Sequence, residues 1–386
     1  MKALVNGRVV LPNGVVYGKA LLFDKQIIGV VPEAEIPQDV ERIDAAGAYV
    51  APGLIDIHIH GYLGEDTSDG KYEGLVTMAE GVAKNGVTAF LPTTMTVSYD
   101  ALRTAYEQIR RGMRESASDT WNGAAIAGCN SEGPFINASK KGAQAGEHVK
   151  VGDPRLLKEY EDVIRLFTIA PEVEGNMDCI REIFADTHML ISMGHTAANY
   201  AQAVAGIEAG VRHVTHLFNA QTGLLHRDPG VVGAALTDPR VSVELIADTF
   251  HVHKALFQLV AQMKGDQMVL ITDCTRAGGM PDGEYTLGGQ PIFVKGIECR
   301  LADGTIAGSV LKLNEAVRNV AQNTNLPVHQ VINMASLNPA RRVGLANCMG
   351  SLEAGKDANI AVLDDCFNVK RTILRGRTIY QANGGV

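Results

Sequence analysis

Runs of apolar residues alternate with helical stretches through the middle of the 386-residue chain. The runs have the character of buried strands, and they cover residues 53–60, 87–92, 124–132, 165–171, 189–195, 213–218, 241–247 and 268–273. Plausible helices follow most of them, for example over residues 72–85, 98–114, 199–209 and 254–264. Continuous apolar strands that alternate with helices indicate a parallel sheet covered on both faces. Eight such units predict an α/β fold of the (β/α)₈ TIM-like barrel class. An open doubly wound sheet fits less well, because no GxGxxG or Walker loop follows the first strand.

The two chain ends have a different pattern, with short strands separated by turns. Each end is too small to fold convincingly alone, so we expect them to pack together as one small β-sandwich domain. The predicted organisation is an N-terminal sandwich part over residues 1–52, the barrel over 53–345 and a C-terminal sandwich part over 346–386. Residues 278–308 interrupt the last barrel unit and predict a hairpin near the barrel mouth, placed where a lid would lie.

Composition narrows the class of protein. Hydrophobic residues make up 46% and charged residues 20%, which is typical of a soluble globular protein. The net charge of −8 is spread without runs of like charge, which argues against nucleic acid or an anionic membrane as a partner. No apolar run approaches the roughly 20 residues that span a bilayer, and the N-terminus lacks the pattern of a signal peptide. The six cysteines contain no CxxC pair, so a reducing cytoplasm is the expected location.

Two histidines stand one residue apart in the stretch GLIDIHIHGY, residues 53–62. Side chains on a strand alternate between its two faces, so His58 and His60 share one face. Two imidazole nitrogens close together on a rigid strand suit a borderline metal ion such as Zn²⁺ or Fe²⁺. An isolated HxH pair is weak evidence, because two polar residues at a strand terminus would give the same pattern.

The ends of the other predicted strands strengthen the case for a site. Active sites of such barrels lie at the carboxyl ends of the strands. The polar residues of ligand or acid–base type that fall there are His58, His60, Glu132, His195, His216 and Asp273. Desolvating six such groups is costly without a compensating ion, so together they indicate a metal centre.

The order HxH, Glu, His, His, Asp at strand ends resembles the amidohydrolase superfamily of metal-dependent hydrolases. Within it, the chain resembles the N-acetylglucosamine-6-phosphate deacetylase family over essentially its whole length. The segments that carry this resemblance are SEGPFIN, GHTAAN, THLFNA, HRDPG, DTFH, LITDCT and GTIAGS. The resemblance implies hydrolysis of the N-acetyl amide of N-acetylglucosamine 6-phosphate, giving glucosamine 6-phosphate and acetate.

Amide hydrolysis of this kind needs a cation, a general base and a general acid. Glu132, His195 and His216 supply three mixed ligands and leave a position open for water, as catalytic sites require. Asp273 is the candidate acid–base residue, and the resemblance implies the same role; a fourth ligand or a structural cap is the alternative. Members of the family that keep the HxH pair hold two metals, so we expect one or two divalent ions, Zn or Fe, with Glu132 as the bridge.

The resemblance also implies a set of residues that bind the phosphorylated amino sugar. They are Ala143, Asn219, Ala220, Arg227, His251, Ile306, Ala307 and Gly308. Backbone N–H groups of Asn219 and Ala220 and the guanidinium fork of Arg227 suit an anion. The family builds part of its phosphate site across a dimer interface, so a homodimer is implied. The family often has histidine where this chain has Gln144, which leaves the finer sugar preference open.

Three alternatives remain at this point. The same chemistry could act on another phosphorylated amino sugar, such as N-acetylgalactosamine 6-phosphate. A related hydrolase could act on a cyclic amide or an N-acyl amino acid, although the predicted anion pocket argues against that. A non-catalytic barrel scaffold would be expected to have lost ligands, yet all six strand-end groups are present.

Overall fold

The computed structural model describes residues 1–383. The strands are β1 Lys2–Val5, β2 Arg8–Leu11, β3 Gly14–Val16, β4 Lys19–Phe23, β5 Ile27–Pro32, β6 Glu41–Asp44, β7 Tyr49–Pro52, β8 Leu54–Ile59, β9 Gly61–Tyr62, β10 Glu65–Asp66, β11 Val87–Thr94, β12 Ala125–Ile126, β13 Cys129–Glu132, β14 Ile164–Ile169, β15 Leu190–Met193, β16 His213–Val214, β17 Ser242–Ile246, β18 Met268–Ile271, β19 Gly283–Leu287, β20 Gln290–Lys295, β21 Glu298–Leu301, β22 Ile360–Leu363, β23 Val369–Leu374 and β24 Arg377–Gln381. The helices are α1 Tyr72–Ala83, α2 Tyr99–Ser116, α3 Pro154–Glu159, α4 Asn176–Asp186, α5 Tyr200–Ala209, α6 Gly230–Thr237, α7 Ala255–Lys264, α8 Leu313–Asn323, α9 Val328–Met334 and α10 Leu337–Arg342.

The central sheet is a parallel barrel. Its strands follow one another as β8, β11, the broken pair β12 and β13, and then β14 to β18. The first and last strands meet at their carboxyl ends, where Asp273 N donates to His58 O at 2.8 Å and His60 N donates to Cys274 O at 2.9 Å. All six residues of β8 are buried, as expected for a strand with packing on both faces. The predicted (β/α)₈ barrel is confirmed.

One barrel strand is much shorter than the sequence predicts. The apolar pattern predicts a strand over 213–218, but β16 ends at Val214. The reason is conformational, because His216, Phe218 and Ala220 take left-handed backbone angles with φ of 29°, 80° and 51°. Such angles turn the chain and cannot continue a strand. The residues that follow β16 therefore curl over the barrel mouth.

A β-sandwich forms beside the barrel from both chain ends. One sheet has the order β5-β4-β1-β6, and the other has the order β24-β23-β22-β7-β2-β3. The register of the second sheet pairs Val50 with Val362, so strands from the two ends are direct neighbours. Apolar side chains from both sheets, including Leu21, Phe23 and Ile360, form the core between them. The predicted sandwich from both ends is present.

Residues 283–301 form a small antiparallel sheet in the order β19-β20-β21. The sequence predicts a simple hairpin here, and the structure corrects this to three strands. Its buried face shares an apolar cluster with Met95 and Ala143. This small sheet is therefore packed against loops at the barrel mouth.

Helix ends follow ordinary capping chemistry. The side chain of Ser98 accepts from Ala101 N at the start of α2, and Asn199 and Gln202 form a capping box at the start of α5.

Within residues 1–383 no helix combines the length and the apolar character needed to cross a membrane.

Candidate active site

The six strand-end residues predicted from sequence meet at one end of the barrel. His58 lies on β8 and His60 follows it, while Glu132 is the last residue of β13. His195, His216 and Asp273 each lie two residues beyond the ends of β15, β16 and β18. All six are buried. The barrel thus places residues that are far apart in sequence into one cluster.

Each of the four imidazoles has its Nδ1 atom held by an acceptor outside the cluster. Nδ1 of His60 lies 3.2 Å from Thr93 O, and Nδ1 of His195 lies 2.8 Å from Lys140 O. Nδ1 of His216 lies 3.2 Å from Asn219 O. A carbonyl oxygen can only accept, so Nδ1 carries the proton in each of these rings. The Nε2 atom of each neutral ring is then left with its lone pair.

The Nε2 atoms converge on two carboxylates. Glu132 Oε1 lies 2.8 Å from His216 Nε2 and 3.1 Å from His195 Nε2. Its other oxygen, Oε2, lies 3.2 Å from His60 Nε2. Asp273 Oδ1 lies 3.2 Å from His60 Nε2 and 3.4 Å from His58 Nε2. Lone pairs and negative charges facing one another require a positive charge between them.

Two sets of donor atoms in this cluster have the spacing of a metal site. One consists of His58, His60 and Glu132, and the other of Glu132, His195 and His216. Within each set the ligand atoms lie within 4.8 Å of one another. Imidazole nitrogen with carboxylate oxygen suits zinc, iron and similar divalent ions. The residues present therefore fit the metal that the sequence predicts, and Glu132 belongs to both sets.

The directions of the pKa shifts in the cluster also indicate that positive charge is favoured there. Burial alone would raise the pKa of Glu132, but the charges of His195 and His58 outweigh it and hold that pKa well below its usual range. Burial would lower the pKa of His60, but its hydrogen bonds with Asp273 and Glu132 outweigh burial and raise it well above the usual value. Without a metal the cluster takes up protons, and a metal that binds there must displace them.

Three of these residues have strained backbones. His195, His216 and Asp273 take positive φ values of 46°, 29° and 51°. For residues other than glycine this costs about 1 to 3 kcal/mol each and persists only where the surroundings impose it. Here they do, since Asn137 N donates to His195 O at 2.9 Å and Ser309 N donates to Asp273 O at 2.8 Å. The backbone is held so that these side chains point into the cluster.

A cavity of about 430 Å³ opens above the cluster. The predicted site residues that line it are His60, Glu132, Ala143, His195, His216, Asn219, Ala220, His251, Asp273, Ile306 and Gly308. Three predicted residues do not line it. His58 lies beneath the others with no exposed surface, Ala307 is packed into the cluster of the small antiparallel sheet, and Arg227 is exposed on a loop.

The predicted anion-binding role of one backbone amide needs correction. The sequence predicts free N–H groups at Asn219 and Ala220, but Asn219 N donates to His216 O at 3.0 Å. The left-handed turn that follows β16 uses this N–H internally. His251 is better placed, because its Nδ1 is held 2.6 Å from Asp248 Oδ2 and the residue lines the cavity. That contact directs the other ring nitrogen, Nε2, away from Asp248.

Two residues contact the cluster in a way that the sequence did not predict: Gln144, which was singled out only for sugar preference, and Glu244, which was not singled out. Gln144 Nε2 donates to Glu132 Oε2 at 2.7 Å, and Gln144 Oε1 accepts from Thr96 N at 2.8 Å. Glu244 Oε2 lies 2.9 Å from His58 Nδ1. The signal for Glu244 was present, because a lone carboxylate in the apolar run VSVELIA must be paired when that strand is buried. Lys140, which also lines the cavity, was likewise missed.

Comparison with known proteins agrees with this geometry. The model of the amidohydrolase family matches residues 49–379. The chain is 36% identical to N-acetylglucosamine-6-phosphate deacetylase of Bacillus subtilis, over 98% of this chain and 96% of that protein. It is also 36% identical to N-acetylgalactosamine-6-phosphate deacetylase of Escherichia coli O157:H7, over 90% of this chain and 92% of that protein.

A solved structure shares the whole fold. It is a variant of N-acetyl-D-glucosamine-6-phosphate deacetylase from Mycobacterium smegmatis in complex with N-acetyl-D-glucosamine-6-phosphate, with a TM-score of 0.91 and 29% identity. The match covers 98% of this chain and 99% of that one. The chain is a hydrolase of amide bonds that belongs to the amidohydrolase family, in the branch that holds the N-acetylglucosamine-6-phosphate deacetylases.

Proposed function

We propose that this protein removes the acetyl group from N-acetylglucosamine 6-phosphate, with water as the second reactant, and releases glucosamine 6-phosphate and acetate. The observation that carries the proposal is the convergence of four imidazole Nε2 atoms on Glu132 beside Asp273, at the floor of a cavity large enough for a sugar phosphate. Similarity to deacetylases over nearly the whole chain supports the choice of substrate.

The proposed cofactor is a pair of divalent ions, zinc or iron, and Glu132 would be a ligand in both sets. His195 and His216 would complete the set that faces the cavity, and His58 and His60 would complete the set beneath it. A cation bound there supplies a Lewis acid for the acetyl carbonyl and lowers the pKa of a water. The three Nδ1 contacts with backbone carbonyls support this assignment, because they leave the Nε2 lone pairs free for a cation.

Asp273 is the proposed proton carrier. Burial would raise its pKa, but the hydrogen bond with His60 and the charge of His58 outweigh burial and lower it. Asp273 is therefore ionised and can take a proton from the attacking water. The protonated carboxyl then gives this proton to the amine nitrogen as the carbon–nitrogen bond breaks, so a single residue acts as base and then as acid.

No arginine of residues 1–383 lines the cavity, so none in the described chain is placed there to bind a substrate phosphate. His251 lines the cavity and Arg227 does not. We propose a homodimer in which the exposed Arg227 loop of one protomer reaches the cavity of the other. Replacing Arg227 with alanine should raise KM for the phosphorylated substrate far more than for the unphosphorylated sugar, measured by acetate release. Equal effects on both substrates would contradict this role.

A cytoplasmic location is also proposed. All six cysteines are free, and four of them are buried as ordinary packing residues. Their free state supports a reducing compartment.

N-acetylgalactosamine 6-phosphate is the second candidate substrate. One observation supports it, namely that the identity to the Escherichia coli deacetylase of that sugar equals the identity to the Bacillus subtilis deacetylase of the other. The two sugars differ at one hydroxyl group, so the metal chemistry would be unchanged. Contacts from the loops around the cavity would decide between them.

The deciding experiment is acetate release from N-acetylglucosamine 6-phosphate, its galacto epimer and unphosphorylated N-acetylglucosamine, with metal content measured on the same sample. We expect fast release from the first substrate and about two ions per chain, one for each ligand set. Acetate release from the epimer alone would identify the galacto sugar as the substrate and leave the proposed mechanism unchanged. A metal-loaded protein that acts on none of the three would contradict the proposal.

A further inference from the structure

The partner of His58 differs in kind from the partners of the other three imidazoles. His60, His195 and His216 have their Nδ1 atoms on backbone carbonyls. His58 instead has Nδ1 at 2.9 Å from a carboxylate oxygen, Glu244 Oε2. Both side chains have no exposed surface. A charged partner raises the basicity of the other ring nitrogen, which a neutral carbonyl does more weakly.

Glu244 uses its two oxygens for three contacts. Oε2 accepts from the backbone N–H of His216 at 3.0 Å as well as from His58. Oε1 lies 3.2 Å from Nε2 of His213, whose Nδ1 lies 2.6 Å from Ser242 Oγ. His213 is the first residue of β16, and no role is predicted for it from the sequence. This carboxylate joins residues from three neighbouring regions of the barrel interior.

The charge of Glu244 has no permanent counter-ion. In the described part of the chain, its ion-pair partners are His58 and His213 and include no lysine or arginine. A buried carboxylate is costly unless a positive charge compensates it. Once a metal has displaced the extra proton of the cluster, the two imidazoles are neutral, so they satisfy the hydrogen bonds of Glu244 but leave its charge. A cation on the far side of the His58 ring would compensate it.

We propose that Glu244 is the positioning residue for the ion held by His58 and His60. It fixes the proton of His58 on Nδ1, turns Nε2 towards Glu132 and Asp273, and adds negative charge behind the ligand. Binding of an ion by His58 and His60 then depends on Glu244. Binding of the ion held by Glu132, His195 and His216 depends on Glu244 little. The inference deepens the proposed function, since it rests on the two-ion site.

The test is Glu244→Gln, with Zn²⁺ titrated into the metal-free protein and bound ions counted by mass spectrometry. Glutamine keeps an oxygen that accepts from His58 and His216, and its amide can donate to His213 Nε2 once the proton of that ring moves to Nδ1. We expect affinity for the second ion to fall about 10- to 100-fold. Affinity for the first ion should stay close to wild type.

Two further variants separate positioning from packing. Ser242→Ala disturbs the same buried region through His213 and should leave both Zn²⁺ affinities unchanged. In a His58→Gln background, Glu244→Gln should have no additional effect on Zn²⁺ binding, because its action passes through His58. If Glu244→Gln does not fold, Glu244→Asp tests the contact in place of the charge, since it keeps the charge but withdraws the carboxylate from the His58 ring, and affinity for the second ion should again fall.

Several outcomes would overturn the inference. They are wild-type affinity for both ions in Glu244→Gln, equal losses in Ser242→Ala, or an undiminished effect in the His58→Gln background. A wild-type protein that saturates at one ion would overturn it as well. None of these results depends on the sugar, so a failed substrate assignment would be seen separately, in the acetate assay.

Discussion

The two ligand sets share Glu132 but are built in different ways. His58 and His60 come from β8 and its end, on regular strand backbone, and His58 has no exposed surface. His195 and His216 follow their strands on left-handed backbone and line the cavity. The set of His58 and His60, called the lower set, is thus supported by the barrel wall. The set of His195 and His216, called the upper set, is supported by turns at the cavity. This contrast leads us to propose that the His58–His60 set serves mainly to hold charge, whereas the His195–His216 set takes part in the reaction.

The largest effect is expected for Glu132→Ala, because this residue belongs to both sets. Removing it should release both ions and reduce acetate formation to the background rate. Metal analysis and circular dichroism would be measured together. A variant that keeps both ions would show that the two sets do not share this ligand.

A matched pair of variants tests the difference between the sets. His195→Gln should remove the ion that faces the cavity and slow kcat by about 10³- to 10⁵-fold, the value of several kcal/mol of Lewis-acid stabilisation. His58→Gln should retain one ion and clearly higher activity than His195→Gln. Steady-state kinetics with ion counts would decide. Equal losses in both variants would remove the proposed division of roles.

The variant Asp273→Asn tests whether Asp273, whose carboxylate lies beside His58 and His60, acts in the reaction or as a metal ligand. Loss of the proton carrier should lower kcat by about 10²- to 10⁴-fold while both ions remain. Loss of one ion along with the activity would instead identify Asp273 as a ligand. Wild-type turnover would exclude it as the acid–base residue.

The smallest effect is expected for Gln144→Ala, which frees Glu132 Oε2 from its hydrogen bond of 2.7 Å. Metal affinity of the upper set should fall about 10-fold, the lower end of the range for such supporting contacts. Lys141→Ala is the control on the same loop, since Lys141 Nζ donates to backbone oxygens of Gly142 and Gln144 and to no side chain within residues 1–383. If Gln144→Ala changed the rate of acetate release from one of the two sugar phosphates more than from the other, that result would also help to assign the substrate.

The sequence was sufficient for the barrel and for the residues that meet at its mouth. Strand ends can be located from apolar runs, and a parallel barrel brings all the carboxyl ends to one side. His58, His195 and Asp273 could therefore be assigned to one site without knowing any distance. The left-handed turns at His216 and Ala220 had no such signal, so the length of β16 was wrong.

Contacts that depend on barrel closure could not be predicted. Glu244 and His58 are 186 positions apart, and only the shared barrel interior brings them together. The carbonyls that hold His195 and His60 belong to Lys140 and Thr93, whose positions no periodicity indicates. The predicted role of Arg227 stays a prediction, because this residue does not line the cavity of its own chain.

The joined chain ends set the order in which the newly made protein can be completed. Strand β7 receives its neighbour β22 only after the ribosome has passed Leu363. Until then β7 lacks its partner on one edge, and unpaired edges favour association with other chains. The barrel also closes late, because the hydrogen bond from Asp273 N to His58 O cannot form before Asp273 has been made. The complete centre therefore cannot form before Asp273 has been made, and shorter nascent chains carry a histidine pair with no finished site around it.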